Sequence, residues 1–443
     1  MNEHVFYRNL NAPLLKVDHG NGIYLYDTDG EKYIDACSGA AVTNVGHADK
    51  RVIDAMTKQA SKVAFSHLSR WTSEPIEEVC DLVAELAPGT LNSTYLVSGG
   101  SEATETALKM ARQYFLERDK VSGKYKIIAR KKAYHGNTIG ALSMTGDKRR
   151  QKYTPLLLDF QHIEPAYCYR CPFNKKPESC NCECAYDLER AIKENGSDTV
   201  AGFIAETVGG AACGAIVPPK KYFKIIRQIC DKYDILYIDD EVMTGFGRTG
   251  KMFACENWDV VPDMLCTAKG MSSGYSPLGA VIVKKEIYDT FKNGSGSFVH
   301  GHTYGGNPLT AAVSAAVIKI IRDDKLSKNA AKLGPYLLEQ LREKILPFWF
   351  VGDVRGIGLM LGVEMVQDKI TKEPFPLEEK IAARLTQVLI KHGVIVYPGS
   401  GNAKDGKGDH FLLTPPLIIT KDQIDELIEK MVAGFKEFEA MLK

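Results

Sequence analysis

No stretch of the 443 residues approaches the roughly 20 consecutive apolar residues that a membrane-spanning helix needs. An excess of one charge is missing too: 56 Lys and Arg face 55 Asp and Glu, for a net charge of +1. Nothing in that balance marks a nucleic-acid or membrane-surface partner. The opening MNEHVFYRNLNAP lacks the basic-then-apolar order of a secretory signal, so a cytoplasmic location is expected. There is no internal repeat and no long low-complexity linker. The cysteines number eleven, an odd count, and Cys80, Cys230 and Cys266 sit inside apolar runs. That usage speaks for reduced core thiols rather than a disulfide framework.

What is present is an ordinary globular composition in a chain long enough for a large catalytic unit with more than one lobe. The segment GIYLYDTDGEKYIDACSG alternates apolar and polar residues around Asp29-Gly30, which predicts a hairpin. Beyond about residue 50, helical periodicity alternates with short strand-like runs: 94–98, 126–129, 202–205, 236–239, 264–267 and 279–283. Helical patterns fall between them, over 101–116 and 220–233 for example. This alternation predicts an α/β fold with a mainly parallel central sheet. An Ala-rich helix over 307–322 leads out of it. The last hundred residues read as strand-like 353–364, a helix around 377–392 and a final helix over 421–442. The expected division is therefore an N-terminal segment of a small lobe (1–60), a large domain (61–322) and a C-terminal small α+β domain (323–443).

Four constellations carry chemistry. Ser98-Gly99-Gly100-Ser101-Glu102-Ala103 lies between a strand and a helix, where small residues and free N–H groups suit an anion. A glycine turn with Ser101 as N-cap explains it as well. Tyr134-His135-Gly136 follows a strand and offers an aromatic face, although a buried Tyr with a satisfied hydroxyl is the commoner outcome. Leu236-Tyr237-Ile238-Asp239-Asp240-Glu241 ends an apolar strand on three acids. That is the place for a cation, either a metal or a protonated ring nitrogen. Lys269 closes the run Met264-Leu265-Cys266-Thr267-Ala268. Desolvation there would make its amine a nucleophile toward aldehydes, unless the side chain reaches the surface.

Together these motifs resemble the class III (ω-) aminotransferases, fold-type-I enzymes that use pyridoxal 5′-phosphate. The resemblance rests on DDEVMTGFGRTG followed by PDMLCTAKGMSSGYSPLGAV, with GSEATETALKMAR, YHGNT, HGHTYGGNP and VRGIGLMLGVE in the right order. It implies that Lys269 is the Schiff-base lysine and proton shuttle, and that Asp240 pairs with the pyridine nitrogen. Gly100 and Ser101 would hold the phosphate. Tyr134 and Val242 would flank the ring, with His135 beside it. Thr303 would reach the phosphate held by a partner subunit, which implies a homodimer with shared active sites. Glu206 matches a glutamate near the substrate. The substrates implied are small-molecule amines and keto acids.

Two departures bear on specificity. Family members that handle α-amino or α-keto acids keep an Arg near the final Pro-Pro segment, and here no Arg follows Arg384. Lys407 is the nearby candidate replacement, although Arg70 or Arg170 could fold in instead. Ala40-Ala41 replace bulkier residues and suggest a wider pocket. The expected reaction is amino transfer from a β- or ω-amino compound or primary amine to pyruvate or 2-oxoglutarate. Racemases, aminomutases and phospho-lyases share the scaffold and remain alternatives. A metal-clustered binding protein on a degenerate fold of this kind is the alternative from another class. Cys168, Cys171, Cys180, Cys182 and Cys184 crowd an insertion in a pattern resembling a zinc or iron–sulfur site. The tight second spacing and the lack of a nearby His favour plain thiols, and no metal is assigned.

Overall fold

The structure, a computed structural model, describes residues 2–11 and 14–443. Its centre is a seven-stranded sheet. In spatial order the strands are Leu91–Val97, Gly279–Lys284, Met264–Thr267, Leu236–Asp240, Val200–Glu206, Lys126–Arg130 and His162–Ile163. Every pairing is parallel except those made by Gly279–Lys284, which runs antiparallel to both its neighbours. The sheet is therefore mainly parallel, as expected, and six strands end at the same edge. Val200–Glu206 and Leu236–Asp240 are buried at every position, because both faces of the sheet are covered.

Side chains on these strands alternate strictly between two cores. Ile127, Ala129, Ile204, Ile238 and Met264 pack on one face, under the helix Gly100–Asp119. Ile128, Phe203, Ala205 and Tyr237 pack on the other, against the helices Glu183–Asn195 and Tyr222–Lys232. The first of these helices presents Ala103, Ala107, Ala111 and Phe115, all fully buried and four residues apart. That stripe of small residues lets the helix lie close to the sheet and sets its N-terminus beside the strand ends.

Two smaller sheets come from the chain ends. Val17–Asn21, Tyr24–Asp27 and Lys32–Asp35 form the expected hairpin with one further strand, and Val394–Ile395 joins it in parallel. The other sheet combines Val351–Ile357, Met360–Met365, Asp409–Leu413 and Tyr397–Ser400. The run 353–364 is thus two strands folded at Gly358 (φ +56°), where one was expected. The final helix spans Lys421–Leu442 and starts with a capping box between Thr420 and Gln423. Among the described residues no helix is long and apolar enough to cross a membrane.

Candidate active site

Ligand sites in sheets of this kind lie beyond the carboxyl ends of the strands. There the chain builds a cavity of about 140 Å³. Lys269, Asp240 and Glu206 line it, as do Tyr134, His135 and Val242. Gly100 and Ser101 close one end, and Gly136, Val208, Met243 and Thr244 complete the wall. Eight residues singled out in the sequence thus meet in one place, although they come from five different strand ends.

The choice among the three acids follows from strand alternation. Asp240 shares its face with Leu236 and Ile238, the face toward the Gly100–Asp119 helix, and so points into the cavity. Asp239 points the other way and accepts the Thr207 hydroxyl at 2.7 Å. Glu241 accepts the backbone N–H groups of Ala254 (2.6 Å) and Cys255 (2.8 Å). Asp239, Glu241 and Cys255 bring their ligand atoms within 4.8 Å of one another, the one such set among the described residues. Burial raises the Asp239 carboxyl well above its usual range and Glu241 to about 7, and neither side chain lines the cavity.

Asp240 is held on both oxygens. Its Oδ2 lies 2.7 Å from His135 Nδ1, and its Oδ1 accepts the Val242 N–H at 3.0 Å. His135 is buried and its Nε2 has no partner among the described residues. It therefore stands behind Asp240 and steers it. Glu206 accepts the backbone N–H groups of Tyr134 (2.7 Å) and Gly210, while burial pushes its carboxyl above the usual value. Lys269 sits in left-handed backbone (φ 44°), its carbonyl accepts the Ser272 and Ser273 N–H groups, and its amine makes no hydrogen bond or ion pair among the described residues. Burial pulls its amine from the ordinary lysine value down to about 8, against the opposing pull of Asp240 and Glu206.

The residues present fit pyridoxal phosphate. The Gly100–Asp119 helix begins without a side-chain cap, which leaves its first N–H groups free for a phosphate. A Cβ at Gly100 would come within 2.8 Å of Val242, so only glycine allows that approach. At Gly136 (φ +134°) a Cβ would fall 2.5 Å from Ser101 Oγ, which in turn accepts the Asn137 N–H at 3.1 Å. A carboxylate, an amine and a flat aromatic face share the space beyond, the donor set such a ring requires.

Other candidates fall elsewhere. Lys407 does not line the cavity. Its loop folds away from the Asp409–Leu413 strand, and the side chain lines a separate cavity beside Cys168 and Cys171. Ala40 and Ala41 occupy an irregular turn over Ser38–Ala41, where Ala41 is buried in the core, and neither reaches the cavity wall. Thr303 is exposed at the surface of the chain. Arg70 is exposed as well, and Arg170 is bound to Glu364 at 2.7 Å. The sequence reading missed Arg149, whose guanidinium lies 4.8 Å from the Tyr134 ring and pairs with Asp147. No motif marks it, because it approaches from the irregular segment Lys148–Leu156. The five insertion cysteines are free thiols. Cys182 and Cys184 are buried, and no three of the five bring their sulfur atoms within 4.8 Å among the described residues.

Comparison with known proteins agrees with this geometry. The sequence profile of the aminotransferases of class III matches residues 6–435. An uncharacterized aminotransferase, YodT, of Bacillus subtilis is 39% identical over 430 residues, covering 97% of this chain and 96% of its own. The putrescine–pyruvate aminotransferase of Pseudomonas aeruginosa is 35% identical, covering 95% of this chain and 91% of its own. An amine transaminase from an uncultivated Pseudomonas species, solved in a PLP-bound form, superposes with a TM-score of 0.92 at 33% identity and covers 99% of both chains.

Proposed function

The chain belongs to the class III aminotransferases, enzymes that work with pyridoxal 5′-phosphate, and on that footing we propose that it moves an amino group from a primary amine or a β- or ω-amino compound to a keto acid such as pyruvate or 2-oxoglutarate by a ping-pong mechanism. One observation carries the donor class. The wall of the Lys269 cavity contains the carboxylates of Asp240 and Glu206 and no arginine. Such an interior attracts an ammonium group, whereas a carboxylate finds no cation in the wall itself and must reach Arg149 beside Tyr134. The names of two relatives, an amine transaminase and a putrescine–pyruvate aminotransferase, point the same way.

Bound pyridoxal phosphate supplies an aldehyde carbon that takes up the amine and a conjugated ring that accepts the electron pair released at Cα. The chain's own residues do the rest. Lys269 Nζ, whose pKa burial lowers to about 8, would be the nucleophile and then the base that lifts and returns the Cα proton. Asp240, clamped by His135 and the Val242 N–H, holds a proton on the ring nitrogen. Gly100 and Ser101 anchor the phosphate, and Tyr134 and Val242 bracket the ring. Glu206 steers the incoming ammonium. Arg149 receives the acceptor's carboxylate at the outer face of Tyr134.

A homodimer with shared sites belongs to the same proposal. Thr303 is flanked by Val299 and Tyr304, which are 83% and 65% exposed. The Tyr304 ring meets Phe65 edge-on at 5.7 Å, and Trp71 nearby in sequence is 70% exposed. A monomer would leave this apolar surface in water, and a second copy would cover it and bring Thr303 to the neighbouring phosphate.

The test is a half-reaction. An ω-amine added alone to the PLP-loaded enzyme should shift the cofactor's visible absorbance, and pyruvate added afterwards should restore it. Lys269→Ala should show neither change. An enzyme that is unresponsive to amines yet racemises an amino acid, or that strongly prefers alanine or glutamate as donor, refutes the proposal.

A further inference from the structure

A second cavity lies apart from the one around Lys269. It has a volume of about 860 Å³ and shares no lining residue with that site. Its wall is made where the cysteine insertion, the hairpin beyond Met365 and the loop that carries Lys407 come together. Six cations face it: Lys132, Arg170, Lys175, Lys372, Lys404 and Lys407. Three carboxylates oppose them, Glu164, Glu373 and Asp405.

Some of these charges are paired with residues outside the wall, Glu164 with Lys131, Arg170 with Glu364 and Lys175 with Glu183, which leaves four cations against two carboxylates. Lys132, Lys372, Lys404 and Lys407 have no carboxylate within 4.0 Å among the described residues. Two of them donate to carbonyls instead: Lys132 Nζ to Ala403 O at 2.9 Å, and Lys372 Nζ to Tyr169 O at 2.6 Å. Burial pulls the Lys132 ammonium below the usual lysine value. Lys132 is thus a desolvated cation with no matching carboxylate.

Buried polar atoms tell the same story. Arg170 bonds Glu364 through Nε and the Lys372 carbonyl through Nη1, yet its Nη2 is buried without a partner. The Tyr169 hydroxyl is likewise unpartnered. Asn402 is fully buried, and its side-chain oxygen has no partner. Each of the three residues lines this cavity. Buried polar groups in folded proteins are normally satisfied, and two of these three atoms, the Arg170 Nη2 and the Tyr169 hydroxyl, are donors that an anion would complete.

We propose that this cavity is a binding site for a phosphoryl-bearing anion, with Lys404 and Lys407 as mobile clamps and Arg170 Nη2 and the Tyr169 hydroxyl as the fixed donors at its floor. Flexible ammonium groups suit a multiply charged phosphate better than a single carboxylate. The anion is either a separate phosphorylated ligand or the phosphorylated tail of an amine substrate. Lys132 stands two residues before Tyr134, so the two cavities lie within roughly 7 Å of chain.

The experiment uses the PLP-loaded enzyme, so that the cofactor's own phosphate site is filled. Inorganic pyrophosphate is titrated by calorimetry. One site per chain is expected, weakened by added salt and weakened about tenfold or more in the double variant Lys404→Ala/Lys407→Ala. The double variant Lys404→Arg/Lys407→Arg should keep the affinity, which separates loss of charge from loss of fold. Absence of saturable binding, or equal affinity in the alanine variant, overturns the proposal. This binding arm does not depend on the amino-transfer reading. A second arm compares kcat/KM for an aminoalkyl diphosphate and the same amine without the diphosphate. A preference for the diphosphate that disappears in the alanine variant assigns the anion to the substrate. Equal kcat/KM with retained pyrophosphate binding assigns it to a separate ligand.

Discussion

Replacing Lys269 by Met should stabilise the cofactor-free protein at neutral pH while abolishing catalysis. Met has nearly the volume of a neutral lysine side chain and carries no charge to desolvate. In the folded chain burial lowers the Lys269 amine to about 8, whereas in the unfolded chain it titrates at its ordinary value of 10.5. A lysine whose folded pKa is depressed binds fewer protons folded than unfolded, so stability rises with pH between the two values. The penalty is fully present below pH 8 and fades as pH passes 10.5. Each pKa step corresponds to about 1.4 kcal/mol, so the penalty amounts to about 3 kcal/mol at pH 7 and about 2 kcal/mol at pH 9. Other groups titrate in the same range, and the difference between wild type and Lys269→Met cancels them. Urea unfolding of both apo-proteins at fixed concentration, at pH 7 and again at pH 9, reads that difference directly. The Met variant should be more stable at both values, with a gain about 1 kcal/mol smaller at pH 9. No gain at pH 7, or a gain that does not change with pH, would show that the amine is not desolvated and would remove the physical reason for its reactivity.

Asp240→Asn should retain the cofactor, because the phosphate anchors are separate from it, while kcat falls roughly a hundredfold or more through loss of ring-nitrogen protonation; unchanged kcat would exclude Asp240 from that role. Arg149→Ala should raise KM for the keto acid several-fold with little effect on an uncharged-tail amine donor, and equal effects on both would remove Arg149 from acceptor recognition. Mixing inactive Lys269→Ala subunits with a severely impaired Thr303 variant should recover part of the activity in heterodimers, and a fully active monomer in light scattering under assay conditions would contradict shared sites.

How much was legible in the sequence differs from residue to residue. All six central strands expected from periodicity exist, with boundaries shifted by three residues or fewer. Local patterning suffices there because a parallel sheet covered on both faces demands continuous apolar runs. Lys269, Asp240, Gly100 and Tyr134 were visible as residues that follow such runs, since a strand that ends at the ligand edge places whatever comes next in the site. Even the choice of Asp240 over Asp239 is implicit in a two-residue repeat, once one face is known to carry the glycine-rich helix start.

Contacts between distant segments were not legible. Lys407 lies shortly before the Pro415-Pro416 segment, yet its loop turns toward the cysteine insertion, more than two hundred residues earlier in the chain. Arg149 reaches Tyr134 from an irregular segment with no periodicity to reveal it. Val394–Ile395 completes a sheet begun by the first thirty-five residues, and Arg170 and Asn402, more than two hundred residues apart, line one basic cavity. Strand order along the sheet and loop paths depend on which apolar faces bury each other across the whole chain. The sequence alone therefore determined the elements and the chemistry at their ends. Only tertiary packing decided which charges meet, because charge pairing follows the distances that folding creates.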